Sequence, residues 1–290
     1  MRSAAVGLLL ACLSPVALAN PGNGSPTAVR VQVPSLQAYP ADPALGLEGW
    51  WYRVEGSLRA PAVLLLHGCG GMLNNRGEPS SRTREYAALL HGRGWHVLAI
   101  DSLTTRGEKE LCTQRIGNRK VTQTERRKDT LGALLWLAKQ PEVDAARLAL
   151  LGWSNGGSAV LASNNRTHPL VDGAPVRPRL AVAFYPGCEA DLRRGYRPAA
   201  DTLILVGLAD DWTPAAPCQQ LESAGSPVVK VLAYEGAYHG FDSLSPVRLR
   251  TDVPNGVYPG SGVHVGGNAA ARQAAQQAMV QALESAFASR

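Results

Sequence analysis

Charge is sparse in this chain: Asp, Glu, Lys and Arg together make up 18% of its 290 residues. No stretch is of low complexity. The net charge of +6 is scattered. Basic residues gather only in RIGNRKVTQTERRK, residues 115–128. That stretch reads as a solvated loop and helix start, and no nucleic-acid motif accompanies it. Internal repeats are absent, which excludes solenoids and propellers. There is no Cys-x-x-Cys or His-x-x-x-His spacing, so a metal site is not expected. Beyond the N-terminal run, no apolar segment is long enough to span a membrane. Histidine is scarce as well, with 6 in the chain, so a general base has few candidates.

What is present begins with MRSAAVGLLLACLSPVALAN: one Arg, an apolar run, then Ala17-Leu18-Ala19. This reads as a secretory signal over residues 1–19, which places the mature protein in the periplasm or outside the cell. Lipoprotein anchoring at Cys12 is the alternative, and a buried first helix is disfavoured by Pro15 and the PGNGSP that follows. Residues 20–44 read as a flexible leader, and 45–290 as one α/β domain of a size that buries a substantial core. Without Cys12, four cysteines remain: Cys69, Cys112, Cys188 and Cys218. An even number in an exported chain suggests two disulfides.

Apolar runs and helical spacings alternate along the domain. GWWYRVEG (49–56), PAVLLLHG (61–68), WHVLAIDS (95–102), RLALLGWS (147–154), LAVAFYPGC (180–188), TLILVGLAD (202–210) and VVKVLAYEG (228–236) read as strands. Segments 81–94, 125–140, 155–165, 214–225 and 269–288 read as helices. Such alternation predicts a mostly parallel sheet of about eight strands with helices on both faces, and ligands beyond the carboxyl ends of the strands.

One of those ends carries Gly152-Trp153-Ser154-Asn155-Gly156, a match to G-x-S-x-G. In a glycine-rich chain the five letters alone are weak, because Ser154 could equally be a helix-capping serine. The context is more specific: a strand leads in, a helix follows, and an acid and a histidine come later in that order. A serine hydroxyl needs a base to take its proton and a carboxylate to orient that base. His239, in YEGAYHGFD just past a strand, is preferred over His264, which sits among glycines with no strand leading in. Asp210 comes first after its strand, and Asp211 reads as a helix cap but stays open as the acid. Backbone N–H donors for an oxyanion are expected from Asn155 and from the His67-Gly68-Cys69-Gly70-Gly71 loop, with Cys69 preferred and Gly70 second.

LLLHGCGG, AIDSLTTRG, LGWSNGGS, YPGC, GLADDWTP and YHGFD, in that order, resemble the dienelactone hydrolase family of α/β-hydrolases, and its secreted members more closely. The resemblance spans about residues 45–288. It implies the α/β-hydrolase fold and cofactor-free hydrolysis of esters or lactones, with Ser154 as nucleophile, Asp210 as acid and His239 as base. Cytosolic members carry cysteine at the elbow, and Ser154 here points to general esterase chemistry through an acyl-enzyme. By position in that fold the expected disulfides are Cys69–Cys112 and Cys188–Cys218, with Cys69 as a redox-active thiol the alternative. Arg106 is a candidate ligand for a substrate carboxylate or else a loop-tying arginine. Trp153 and Trp212 are candidate pocket walls or core aromatics. A small soluble ester or lactone is the expected partner. Peptidase or acyltransferase chemistry on the same triad, and a non-catalytic binding protein on the same fold, are the rival readings.

Overall fold

The structure, a computed structural model, describes residues 26–38, 44–56 and 59–288. The expected signal segment and Cys12 lie outside the described residues. Eight strands form one sheet: β1 (Val29–Pro34), β2 (Gly46–Tyr52), β3 (Ala60–Leu66), β4 (His96–Ile100), β5 (Val143–Trp153), β6 (Leu180–Phe184), β7 (Asp201–Gly207) and β8 (Val229–Tyr234). Their spatial order is β1-β2-β4-β3-β5-β6-β7-β8. β2 runs antiparallel to β1 and β4, and every pairing from β4 onward to β8 is parallel. A two-stranded hairpin, β9 (Arg248–Arg250) with β10 (Val263–Val265), stands apart from it.

The central strands are apolar on both faces because both faces are covered. Side chains alternate across the pleat. Leu64, Leu66, Leu148, Leu150, Ala181 and Ala183 face one core, shared with α2 (Gln123–Ala138) and α3 (Asn155–Asn164). Val63, Leu65, Ala149, Leu151, Val182 and Phe184 face the other. There they pack with Tyr86 and Leu90 of α1 (Ser81–His91) and, on the same face, with the Met279, Leu283 and Phe287 stripe of a closing helix (Ala269–Ala288). The remaining helices are short: α4 (Pro169–Asp172), α5 (Glu189–Arg194) and α6 (Ala215–Gln219), which makes the closing helix α7. No helix among the described residues is long and apolar enough to cross a membrane.

The leader departs from expectation. Part of it is β1, paired with β2 from Val29↔Trp51 to Pro34↔Gly46. VRVQV alternates with period two, and its inward Val33 is fully buried while Arg30 stacks on the Trp50 ring. Edge position leaves most of β1 exposed, with Val31 half-buried, which makes its apolar signal short.

Candidate active site

β5 ends at Trp153 and α3 begins at Asn155, so one residue reverses the chain. That residue, Ser154, has φ 54° and ψ −119°. Only Tyr185 shares a positive φ among the described non-glycine residues. Such a backbone costs about 1–3 kcal/mol and needs support from its surroundings. The flanking glycines supply room for it. A Cβ on Gly156 would stand 2.0 Å from the Leu66 carbonyl oxygen, and one on Gly152 would stand 2.4 Å from that of Gly156. The Ser154 N–H donates to the Phe184 carbonyl at 2.9 Å, which fastens the turn to β6.

The turn carries the hydroxyl to the loops after β7 and β8. Ser154 Oγ lies 2.9 Å from His239 Nε2, and His239 Nδ1 lies 2.8 Å from Asp210 Oδ2. With Nδ1–H given to the carboxylate, Nε2 is left to accept the serine proton. Asp210 and His239 are both buried. Asp210 Oδ1 also accepts the N–H groups of Trp212 and Thr213, at 2.8 and 2.9 Å. Thr213 Oγ1 sits 3.0 Å from Asp210 Oδ2 and 3.1 Å from the Tyr185 carbonyl oxygen. Asp211 is turned elsewhere: its carboxylate accepts the His264 N–H at 2.8 Å and pairs with His264 Nδ1 at 2.7 Å. That pair ties β10 to the acid loop and keeps His264 with Asp211 rather than Ser154.

A second layer steadies His239. The Tyr185 ring packs edge-on at 4.7 Å and the Trp212 ring lies at 4.6 Å. Buried Asp242, three residues past His239, accepts hydrogen bonds from Tyr185 Oη at 2.6 Å, Tyr86 Oη at 2.9 Å and Arg82 Nε at 3.1 Å. Burial pushes both phenols well above their ordinary range, and Asp242 adds to it. Sequence reasoning missed Thr213, Tyr185 and Asp242 as parts of this frame. The only signal was their place inside DWTP, YPGC and HGFD.

Asn155 and Cys69 both border the hydroxyl. Asn155 opens α3, where an amide has no carbonyl one turn behind it to bond. Its side-chain oxygen accepts from Arg126 Nη1 at 2.7 Å, and its carbonyl accepts from Gln123 Nε2 at 3.2 Å. Burial lowers Arg126 to about 10, against the pull of Asp129 and Asp101, so its guanidinium is charged at neutral pH. Cys69 is bonded to Cys112, and its carbonyl accepts the Leu111 N–H at 2.7 Å. The second disulfide joins Cys188 to Cys218. Cys69 is therefore no free thiol here.

His67 heads the same loop but is a structural group. It is buried, with Nδ1 donating to the Gly68 carbonyl at 2.7 Å and Nε2 accepting the Ser102 N–H at 3.3 Å. Burial first, and then the Arg126 charge, lower its pKa to about 3, so it stays neutral.

Arg106 is the correction to the substrate-binding set. Its guanidinium forks onto Asp129 with two contacts of 2.8 Å and donates to the Ser102 carbonyl at 2.7 Å. That uses the fork that a substrate carboxylate would need, and Arg106 borders neither cavity at Ser154. Trp153 is buried against Tyr86 and Phe184, chiefly a core aromatic. Trp212 borders both cavities, one of about 800 Å³ and one of about 270 Å³, with Ser154 between them.

The sequence profile of the dienelactone hydrolase family matches residues 47–287. An uncharacterized protein of Mycobacterium tuberculosis is 27% identical over 223 residues, covering 71% of this chain and 72% of its own length. Among solved structures, a dienelactone hydrolase-like promiscuous phosphotriesterase from metagenomic libraries superposes with a TM-score of 0.60 at 23% identity, over 91% of this chain and 100% of that one. Esterase 2 of Thermogutta terrifontis, phosphorylated by paraoxon, gives 0.58 at 16% identity, over 91% and 96%. At these identities the structural likeness is one of fold.

Proposed function

The chain belongs to the dienelactone hydrolase family, and on that premise we propose that it is an exported serine hydrolase of small soluble carboxylic esters or lactones. The observation that carries the reading is the continuous line from Ser154 Oγ through His239 to Asp210, 2.9 and 2.8 Å long, on a positive-φ turn. His239 Nε2 takes the hydroxyl proton as Oγ bonds to the ester carbonyl carbon. The carbonyl oxygen becomes an oxyanion facing the N–H groups of Asn155 and Cys69. When the tetrahedral adduct collapses, the carbon–alkoxy bond breaks and the leaving oxygen takes the proton from His239. Water, deprotonated by the same imidazole, then releases the acid and restores Ser154. Two disulfides are compatible with an exported protein.

The test is fluorophosphonate labelling of the folded protein, with the adduct mapped by peptide mass spectrometry. An adduct on Ser154 is expected, and Ser154→Ala should keep the fold and lose nearly all turnover. No adduct on folded protein would favour a binding protein on this fold, and near wild-type turnover in Ser154→Ala would refute Ser154 as the nucleophile.

A further inference from the structure

The two cavities beside Ser154 are unequal, and they differ in what borders them. His239 borders only the smaller one, of about 270 Å³, together with Tyr185 and Gly240. Asn155 borders only the larger one, of about 800 Å³. Under the hydrolase reading on which this rests, the chemistry fixes which half of an ester goes where. The leaving oxygen must meet the proton on His239 Nε2, and the attacking water must reach the same nitrogen. Alcohol therefore leaves, and water enters, on the His239 side. The acyl group, bonded to Ser154 Oγ with its oxygen toward Asn155 and Cys69, is left with the other side.

That side is cationic. Arg119, Arg127, Arg193 and Arg194 border the larger cavity, and Glu189 is its single carboxylate. Arg193 lies 4.0 Å from Glu189. Among the described residues neither Arg119 nor Arg194 makes a salt bridge, and Arg119 Nε is buried with no hydrogen-bond partner. The smaller cavity also has arginines, but Arg82 is paired with Asp242 and Arg250 with Asp252, which leaves the exposed Arg248 there against the half-buried Arg119 and the exposed Arg194 in the larger one.

We infer that the preferred substrates are open-chain esters of a small alcohol with a bulky, negatively charged acid, the acid held in the Arg119–Arg194 cavity and the alcohol released past His239. Two comparisons test this. Methyl heptanoate and hexyl acetate are isomers with similar leaving groups, so only the placement of bulk differs. The methyl ester is expected to have a kcat/KM at least about tenfold higher, since each methylene that fits a pocket is worth roughly that much. Monomethyl heptanedioate, which adds a terminal carboxylate, should exceed methyl heptanoate by about another tenfold through a lower KM. Arg119→Gln/Arg194→Gln should collapse that anionic-to-neutral ratio toward one, as should added salt.

A preference for hexyl acetate would overturn the placement of the two halves. An anionic-to-neutral ratio near one in the wild type, or one unmoved by the double variant, would overturn the charge assignment. Failure of the hydrolase reading looks different: no ester in the series is turned over, and Ser154 takes no fluorophosphonate.

Discussion

Two adjacent aspartates with opposite partners make the residue scale decisive. Asp210 holds His239, whereas Asp211 holds His264. Asp210→Asn should therefore lower kcat by about 10⁴-fold through loss of the correct imidazole orientation. Asp211→Asn should cost far less, because it loosens β10 without touching the imidazole of His239. Steady-state kinetics of the two variants on one ester decide it, and equal losses would make Asp211 part of the relay. The sequence could rank these two carboxylates only by distance from the strand end. It could not show that Asp211 finds a partner 53 positions away, nor that Asp129 fills the fork of Arg106. His67 supports a second prediction. Its folded pKa of about 3 lies below the ordinary 6.5. Between those values the unfolded chain binds a proton that the folded chain refuses. Its contribution is complete above pH 6.5 and lost as pH falls toward 3, on the order of a few kcal/mol. Urea unfolding at pH 7 and pH 4.5 should show His67→Asn less stable at pH 7 but with a shallower loss on acidification. Parallel slopes for both proteins would rule out His67 as the source.

At the scale of elements, legibility followed burial. β3, β4, β5, β6 and β7 are shielded on both faces, so their apolar runs stood out in the sequence. β1 has one fully buried side chain, Val33, and β9 and β10 are three-residue strands defined by pairing with each other and by the Asp211–His264 tie. No run of residues announces such elements, because tertiary contacts create them. The loop after β3 was legible as a glycine turn, and its restraint agrees with the pairing the family resemblance implied: the Cys69–Cys112 bond ties it across 43 positions to a loop packed on Leu103, Leu111 and Val121. Removing that bond with Cys69→Ser/Cys112→Ser should cost about 2–4 kcal/mol of stability. It should also lower kcat more than it raises KM, because the Cys69 amide then has a freer loop beneath it. Thermal denaturation and kinetics at a temperature where both proteins are folded measure the two effects. A destabilised variant with unchanged kcat would remove the disulfide from any role at the oxyanion site.

The whole molecule divides its labour across the sheet. Ser154, Asp210 and His239, with the Cys69 loop, follow the carboxyl ends of β5, β7, β8 and β3, strands that run from the middle of the sheet to its β8 margin. β1 lies at the other margin of the sheet, beyond β2 and β4. Its work is to cover the edge of β2, a strand carrying Trp50, Trp51 and Tyr52. An uncovered edge of that composition is a template for pairing with a second chain. A chain beginning at Ser35 should therefore melt at a lower temperature and self-associate as concentration rises. Its folded monomer should turn over esters at the wild-type rate per site, because no site residue is carried by β1. Calorimetry, light scattering across a dilution series and active-site titration with a fluorophosphonate separate these terms. A monomeric, fully stable truncation would mean that β2 tolerates a bare edge. A rate loss per titrated site would mean that the edge strand reaches the site through the sheet, and the division between scaffold and chemistry would have to be redrawn.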